Sequence, residues 1–261
     1  MEVELIPVDP AQNYTIFVTT PIEPALRPKV AAALMKRQDP PAEQVAFISA
    51  DSHLPRMEMM GGEFCGNASR SFGMLTAMER GLEKGSVTVS VSGCTQPLTV
   101  DVDLSANIAR VEMPLQKTLH QLKAAGRSLP ILAFEGLCHA VVEAPPDAEL
   151  AQQIINKIED SFSTDAIGVI FLQRNPLYIT PVVYVPATGS TVWEHSCGSG
   201  SLAAALWMAM QQPHNGLKRF SFQQPGGLLE IELEMKDGRV TAARLGGPVT
   251  IGQKKCIHME L

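Results

Sequence analysis

One short phrase occurs twice in this chain, as Cys65-Gly66-Asn67-Ala68-Ser69 and as Cys197-Gly198-Ser199-Gly200-Ser201, and each copy runs into a helix-forming stretch. Adding 132 (197 minus 65) to Cys65, Gly66, Ser69, Ala77 and Met78 lands on Cys197, Gly198, Ser201, Ala209 and Met210 without a mismatch. Packing a core does not require the same polar phrase twice at one offset. The chain therefore reads as two similar halves, each with a cysteine at the start of a helix.

The flanking patterns repeat as well. After each cysteine helix, period-two alternation broken by turn residues predicts strands, over 86–92, 98–104 and 108–114 in the first half and over 219–222, 229–235 and 239–248 in the second. Arg110 matches Arg244 and Pro114 matches Pro248 at offset 134, a drift of two residues. Ahead of the cysteines, strands are expected at 12–19 and 45–49, then at 136–142, 166–172 and 178–185, with helices at 28–37 and 147–158. The halves join near residues 115–120. Two domains, 1–116 carrying Cys65 and 117–261 carrying Cys197, are the expected organisation, with a shared site in the cleft between them.

A net charge of −6 argues against nucleic acid or an anionic membrane surface as partner and favours a small molecule. Residues 1–9 lack a basic stretch followed by an apolar core, and no run of 18 apolar residues occurs, so a cytoplasmic protein without a membrane span is expected. The five cysteines are odd in number and widely spaced, which suits free thiols in a reducing compartment. His139 beside Cys138 and His195 near Cys197 lack the close Cys-x-x-Cys or His-x-x-x-His spacing of structural zinc sites, so no metal is expected.

Two thiols at helix starts suit one chemistry. Inverting the α-carbon of an amino acid without a cofactor needs a base on one face and an acid on the other, and a cysteine, with a pKa of ~8.5 that falls at a helix N-terminus, can be either. Backbone N–H groups of Gly66, Asn67, Gly198 and Ser199 can hold the substrate carboxylate, onto which charge spreads as the carbanion forms. A ligand-binding protein that keeps the cleft without catalysis, and a redox dithiol protein, are the alternatives. Both cysteines are present, and no Cys-x-x-Cys occurs.

Glu63-Phe-Cys-Gly-Asn67 together with Ser196-Cys-Gly-Ser-Gly200 resembles the paired signature of the diaminopimelate epimerase-like family of cofactor-independent racemases. The resemblance implies an α+β fold of two pseudo-symmetric domains, each a β-sheet wrapped around a central helix. It implies Cys65 and Cys197 as the acid/base pair, no pyridoxal phosphate or other cofactor, and Asn13, Gln44 and His139 as substrate contacts. The distal clamp for diaminopimelate is not matched: Glu58, Leu137 and Gly168 stand where that enzyme has asparagines, and Val185-Pro186 where it has a Glu-Arg pair. Within the superfamily the chain is most similar to the histidine racemases that supply D-histidine for opine-type, staphylopine-like metallophores. Glu58, Glu194, His195 and Trp193 are then candidates for reading an imidazole side chain. Racemisation of L-histidine is the expected activity, with diaminopimelate or another amino acid as alternative substrates. A homodimer is compatible with the sequence.

Overall fold

Val3, Leu5 and Val8 alternate with Glu2 and Glu4, and in a computed structural model of the chain they bury one face of the first strand, β1 (Glu2–Asp9). Residues 1–37, 39, 42–49, 53–212 and 215–260 are described by the structure. They divide into two compact units, one of residues 1–112 with 245–261 and one of residues 113–244.

In the first unit, β2 (Thr15–Val18) pairs antiparallel with β1, and α1 (Arg27–Met35) crosses over to β3 (Gln44–Ser49), which lies parallel to β2. Next, β4 (Arg56–Met59) pairs antiparallel with β3 and α2 (Gly66–Glu79) leads to a meander. Its strands are β5 (Lys84–Val91), parallel to β4, then β6 (Leu98–Asp103) and β7 (Ile108–Glu112), each antiparallel to the one before. Every residue of α2 from Gly66 to Ala77 is buried, and the helix packs on β5, β6 and β7. A helix covered on all sides has no polar stripe to show, which is why its apolar residues follow no clear helical period.

The second unit opens with a hairpin, β8 (Thr118–Ala124) and β9 (Arg127–Phe134), and β10 (Leu137–Val142) continues antiparallel to β9. From there α3 (Ala148–Glu159) crosses to β11 (Ala166–Gln173), parallel to β10, and β12 (Tyr178–Val185) returns antiparallel. A short strand, β13 (Ser190–Trp193), pairs antiparallel with β12 and precedes α4 (Gly198–Gln211). After α4 come β14 (Gly216–Gln224), β15 (Gly227–Lys236) and β16 (Arg239–Pro248). The chain passes back to the first unit within β16, and β17 (Thr250–Ile251) and β18 (Lys255–His258) pair antiparallel with β1.

The two units share one sequence of pairings. Antiparallel, parallel through a helix, antiparallel, parallel and antiparallel describes β1 to β6, and equally β9 to β15 with β13 set aside. Both ends of α2 map onto the ends of α4 at offset 132 (198 minus 66 and 211 minus 79). The class is α+β, each half a sheet folded about an enclosed helix.

Separate apolar clusters seat the crossover helices. Ala151, Ile154, Ile155 and Ile158 fall at i, i+3, i+4 and i+7 and are buried together with β10 and β11 residues, while Asp147 caps α3 by accepting from the Leu150 N–H at 2.7 Å. In the first unit Val30, Ala31 and Leu34 of α1 do the same with Leu5, Ile16, Val45 and Phe47. The strand expected from residue 12 begins only at Thr15, because Ala11 and Gln12 take positive φ angles of 62° and 60° that a strand cannot hold. Among the described residues no helix is long and apolar enough to cross a membrane.

Candidate active site

Each cysteine of the repeat is the N-cap of its enclosed helix. Cys65 has φ −127° and ψ 112°, and Cys197 has φ −127° and ψ 111°. The sulfur of Cys65 accepts from the Ala68 N–H and that of Cys197 from the Gly200 N–H, both at 3.4 Å. The serine of the phrase is explained too: Ser69 Oγ donates to the Cys65 carbonyl and Ser201 Oγ to the Cys197 carbonyl, both at 2.7 Å. Sulfur thus sits where a helix presents N–H groups and the positive end of its dipole. Gly200 is needed beside it, since a β-carbon there would lie 2.6 Å from Ile170 Cδ1 and 3.2 Å from Cys197 Sγ.

The structure brings together three of the expected substrate contacts in the first unit. Asn13 Oδ1 accepts from Gln44 Nε2 at 2.5 Å and from Asn67 Nδ2 at 3.2 Å, and Asn13 Nδ2 donates to Glu43 Oε2 at 2.9 Å. Asn67 Oδ1 in turn accepts from Arg70 Nε at 3.2 Å. A chain of amides whose orientations depend on one another therefore lies along the start of α2.

Glu58 is placed otherwise. On β4, across from Phe47, its Oε2 pairs with Arg27 and its Oε1 accepts from Arg56 Nη2 and Nε at 2.8 and 3.1 Å. Arg27, then Arg56, hold its carboxyl below the ordinary range. A carboxylate offers about four lone-pair positions, and the two arginines take three of them, two on Oε1 and one on Oε2.

In the second unit His139 is completely buried, and its Nε2 lies 2.9 Å from Ser199 Oγ, which is 3.5 Å from Cys197 Sγ. Burial pushes His139 down to about 3, so the ring is neutral at physiological pH. Room for it comes from Gly168 on β11, opposite it in register, where a β-carbon would be 1.9 Å from His139 Nδ1. Glu194 follows β13, its N–H bonded to the Pro181 carbonyl at 3.0 Å, and its carboxylate accepts from the Cys197 thiol. Burial first and Glu194 second hold Cys197 well above the ordinary thiol range. Trp193 stacks on Phe171 at 6.1 Å and stays half exposed, and the His195 carbonyl accepts from the Gly226 N–H at 2.7 Å.

His139 gives stability a pH dependence. Between its unfolded value of 6.5 and its folded value of about 3, the unfolded chain takes up a proton that the folded protein refuses. Stability present above pH 6.5 should fall by up to ~1.4 kcal/mol per unit as the pH drops through that window. Melting curves from pH 7 to pH 4 should lose this component of the slope in His139→Gln; an unchanged slope would refute the assignment.

Two functional candidates were missed by sequence reasoning. Arg70, fully buried on α2, bonds the carbonyls of Gly247 and Pro248 at 2.9 and 2.7 Å as well as Asn67. Gln224 accepts from the Cys197 N–H at 2.8 Å and donates to Ser201 Oγ at 2.9 Å, which braces the second phrase from β14. The repeat itself held a signal for Arg70, because offset 132 pairs it with Leu202. Gln224 sits at a strand end with no sequence mark.

A profile of the family described as histidine racemase CntK N-terminal domain matches residues 2–256. The chain is 33% identical over 259 residues to a histidine racemase of Fusobacterium nucleatum subsp. nucleatum strain ATCC 25586, covering 95% of this chain and 93% of that one. Among solved structures, a phenazine biosynthesis protein of the PhzF family from Bacillus anthracis superposes with a TM-score of 0.70 at 12% identity, over 99% of this chain and all of the other. A hydroxyproline epimerase from Agrobacterium vitis, with bound trans-4-hydroxy-L-proline, gives 0.65 at 10% identity, over 98% and 91%. These two likenesses concern the fold.

Proposed function

The chain belongs to the histidine racemase family typified by CntK, and from that premise we propose that it interconverts L-histidine and D-histidine through the thiols of Cys65 and Cys197. The supporting observation is the duplicated cap: two cysteines with the same backbone angles, each on the N-terminus of a buried helix and each accepting an N–H from its first turn. One sulfur, as thiolate, takes the α-proton and leaves the electron pair on carbon and carboxylate; the other, as thiol, returns a proton to the opposite face. Helix-start N–H groups at 66–67 and 198–199 stabilise the carboxylate as its charge grows.

Substrate recognition falls to side chains on both repeats. Asn13, Gln44 and Asn67 supply amide groups in the first, and Glu58 keeps one acceptor position for the imidazole N–H. His139, neutral and bonded to Ser199, fixes the wall beside Cys197, and the Glu194 carboxylate accepts a hydrogen bond from the Cys197 thiol and so favours its protonated form. Diaminopimelate should be a poor substrate, because its distal ammonium and carboxylate would find Leu137 and Gly168 where its own enzyme has amides, and an unpaired buried charge costs several kcal/mol.

Incubation with single L-amino acids in D₂O, followed by NMR of the α-proton and chiral chromatography, tests the reading. Histidine should exchange and racemise fastest, without added pyridoxal phosphate and after dialysis against a chelator. Faster turnover of diaminopimelate or an aliphatic amino acid would remove histidine as the substrate. Glu58→Gln should raise KM for histidine by about tenfold, the effect of a lost charge-assisted hydrogen bond, with little change in melting temperature. An unchanged KM would take Glu58 out of the site.

A further inference from the structure

The repeat is symmetric in its cysteines and asymmetric in the charges beside them. Position 70 is arginine in the first half, and its counterpart 202 (70 plus 132) is leucine. Position 194 is glutamate in the second half, and its counterpart 62 (194 minus 132) is glycine; the carboxylate nearest in sequence to Cys65, Glu63, is exposed to solvent, and its counterpart 195 is histidine. Both Arg70 and Leu202 are completely buried in their helices, so neither is a solvent-facing accident.

Arg70 is an unusual thing to enclose. Its Nε bonds Asn67 and its Nη1 bonds two backbone carbonyls, while Nη2 is buried with no hydrogen-bond partner. Desolvation lowers it to about 9, which leaves it charged at neutral pH, and the anions that favour that charge are Cys65 first and Asp9 second. Among the described residues the hydrogen-bond acceptors of the guanidinium are neutral oxygens, a poor exchange for water. An anionic sulfur at Cys65 would repay part of that desolvation. Cys197 meets a different environment: it is buried, the Glu194 carboxylate accepts a hydrogen bond from its thiol, and a neutral His139 lies beyond Ser199.

We infer that Arg70 holds Cys65 as the thiolate in the resting protein, while Cys197 rests as the thiol, so that Cys65 begins each cycle as base and Cys197 as acid. This rests on the racemase reading. Arg70 is a positioning residue here, since it acts on sulfur and on the Asn67–Asn13–Gln44 amides rather than on substrate. In the cycle that starts from the resting form, the α-proton passes to Cys65 Sγ, the electron pair stays on the substrate, and the Cys197 proton moves to the other face. The protein is left with Cys65 as thiol and Cys197 as thiolate beside Glu194, the disfavoured arrangement. It returns to rest by proton exchange with solvent or by turning over the opposite enantiomer. The enantiomer whose α-hydrogen faces Cys65 is therefore the one that binds productively to the resting protein.

Iodoacetamide labelling of the full chain from pH 5 to pH 10, read for each cysteine by peptide mass spectrometry, tests this without substrate. In the wild-type protein the midpoint for Cys65 should lie at least about one unit below the ~8.5 of free cysteine, and that for Cys197 above it. Arg70→Met should move the Cys65 midpoint up by about one unit, a tenfold loss of labelling near neutrality, and leave Cys197 in place. Arg70→Lys, which keeps the charge, should restore most of the difference. A Cys197 midpoint below that of Cys65, or a folded Arg70→Met with an unmoved Cys65, overturns the inference. Should Arg70→Met fail to fold, the order of the two wild-type midpoints decides alone. Loss of histidine exchange by the wild-type protein would instead sink the racemase reading and leave the labelling result standing.

Discussion

Serine in place of Cys65 or of Cys197 should abolish histidine racemisation, by ~10³-fold or more, without unfolding the protein. Both cysteines are helix N-caps that accept an N–H from the first turn, and serine is among the best residues for that position. The cap, the backbone angles and the Ser69 and Ser201 bonds to the cysteine carbonyls would all survive the change. What disappears is acidity: a hydroxyl cannot be a thiolate at neutral pH. The loss must then be chemical, and circular dichroism with a melting curve should show a fold within about 2 kcal/mol of the parent. Each single mutant keeps one thiol, so exchange of the α-proton from one enantiomer in D₂O should persist, and the two mutants should differ in which enantiomer they label. Full racemisation by either one would leave no room for a two-thiol mechanism.

The repeat made much of this legible before any coordinates. Identical residues at offset 132 mark the starts of the two helices, and β12 falls at residues 178–185 as expected. Other elements left no such trace. Residues 118–123 on β8 point mostly to solvent on both faces, so no buried period marks the strand, and Ser190–Trp193 on β13 is exposed throughout. The amide chain of Asn13, Gln44 and Asn67 was visible only as three polar residues, because a hydrogen-bond network is a product of tertiary structure. Glu58 was read for its charge, and the two arginines that hold it, one 31 residues away, could not be paired with it from spacing alone. Arg70 was hidden for a different reason. Sequence patterns assign arginine to surfaces, so its mismatch with Leu202 in the repeat is a hint whose meaning, full burial on α2, shows only in the fold.

Gly168→Ala should be the most damaging single methyl that can be added near the second cysteine. Its β-carbon would lie 1.9 Å from His139 Nδ1 and 2.4 Å from Cε1, and the ring has no exposed side toward which to retreat. Relief requires the imidazole to turn or β10 and β11 to part, and either motion breaks the 2.9 Å contact of Nε2 with Ser199 Oγ. Ser199 is the group 3.5 Å from Cys197 sulfur, so the disturbance reaches the proposed catalytic sulfur in two steps. Overpacking of this kind costs about 3 kcal/mol, which for a protein of this size lowers the melting temperature by about 6–12 °C. A sulfur displaced by a fraction of an ångström should also cost about a hundredfold in kcat/KM. The double variant Gly168→Ala with His139→Ala separates the causes. With the ring gone the methyl has space, so the double variant should be about as stable as His139→Ala alone, a coupling close to the whole penalty of the methyl. If the two penalties simply add, the alanine methyl is colliding with something other than His139, and the glycine is there for a reason unconnected with Cys197.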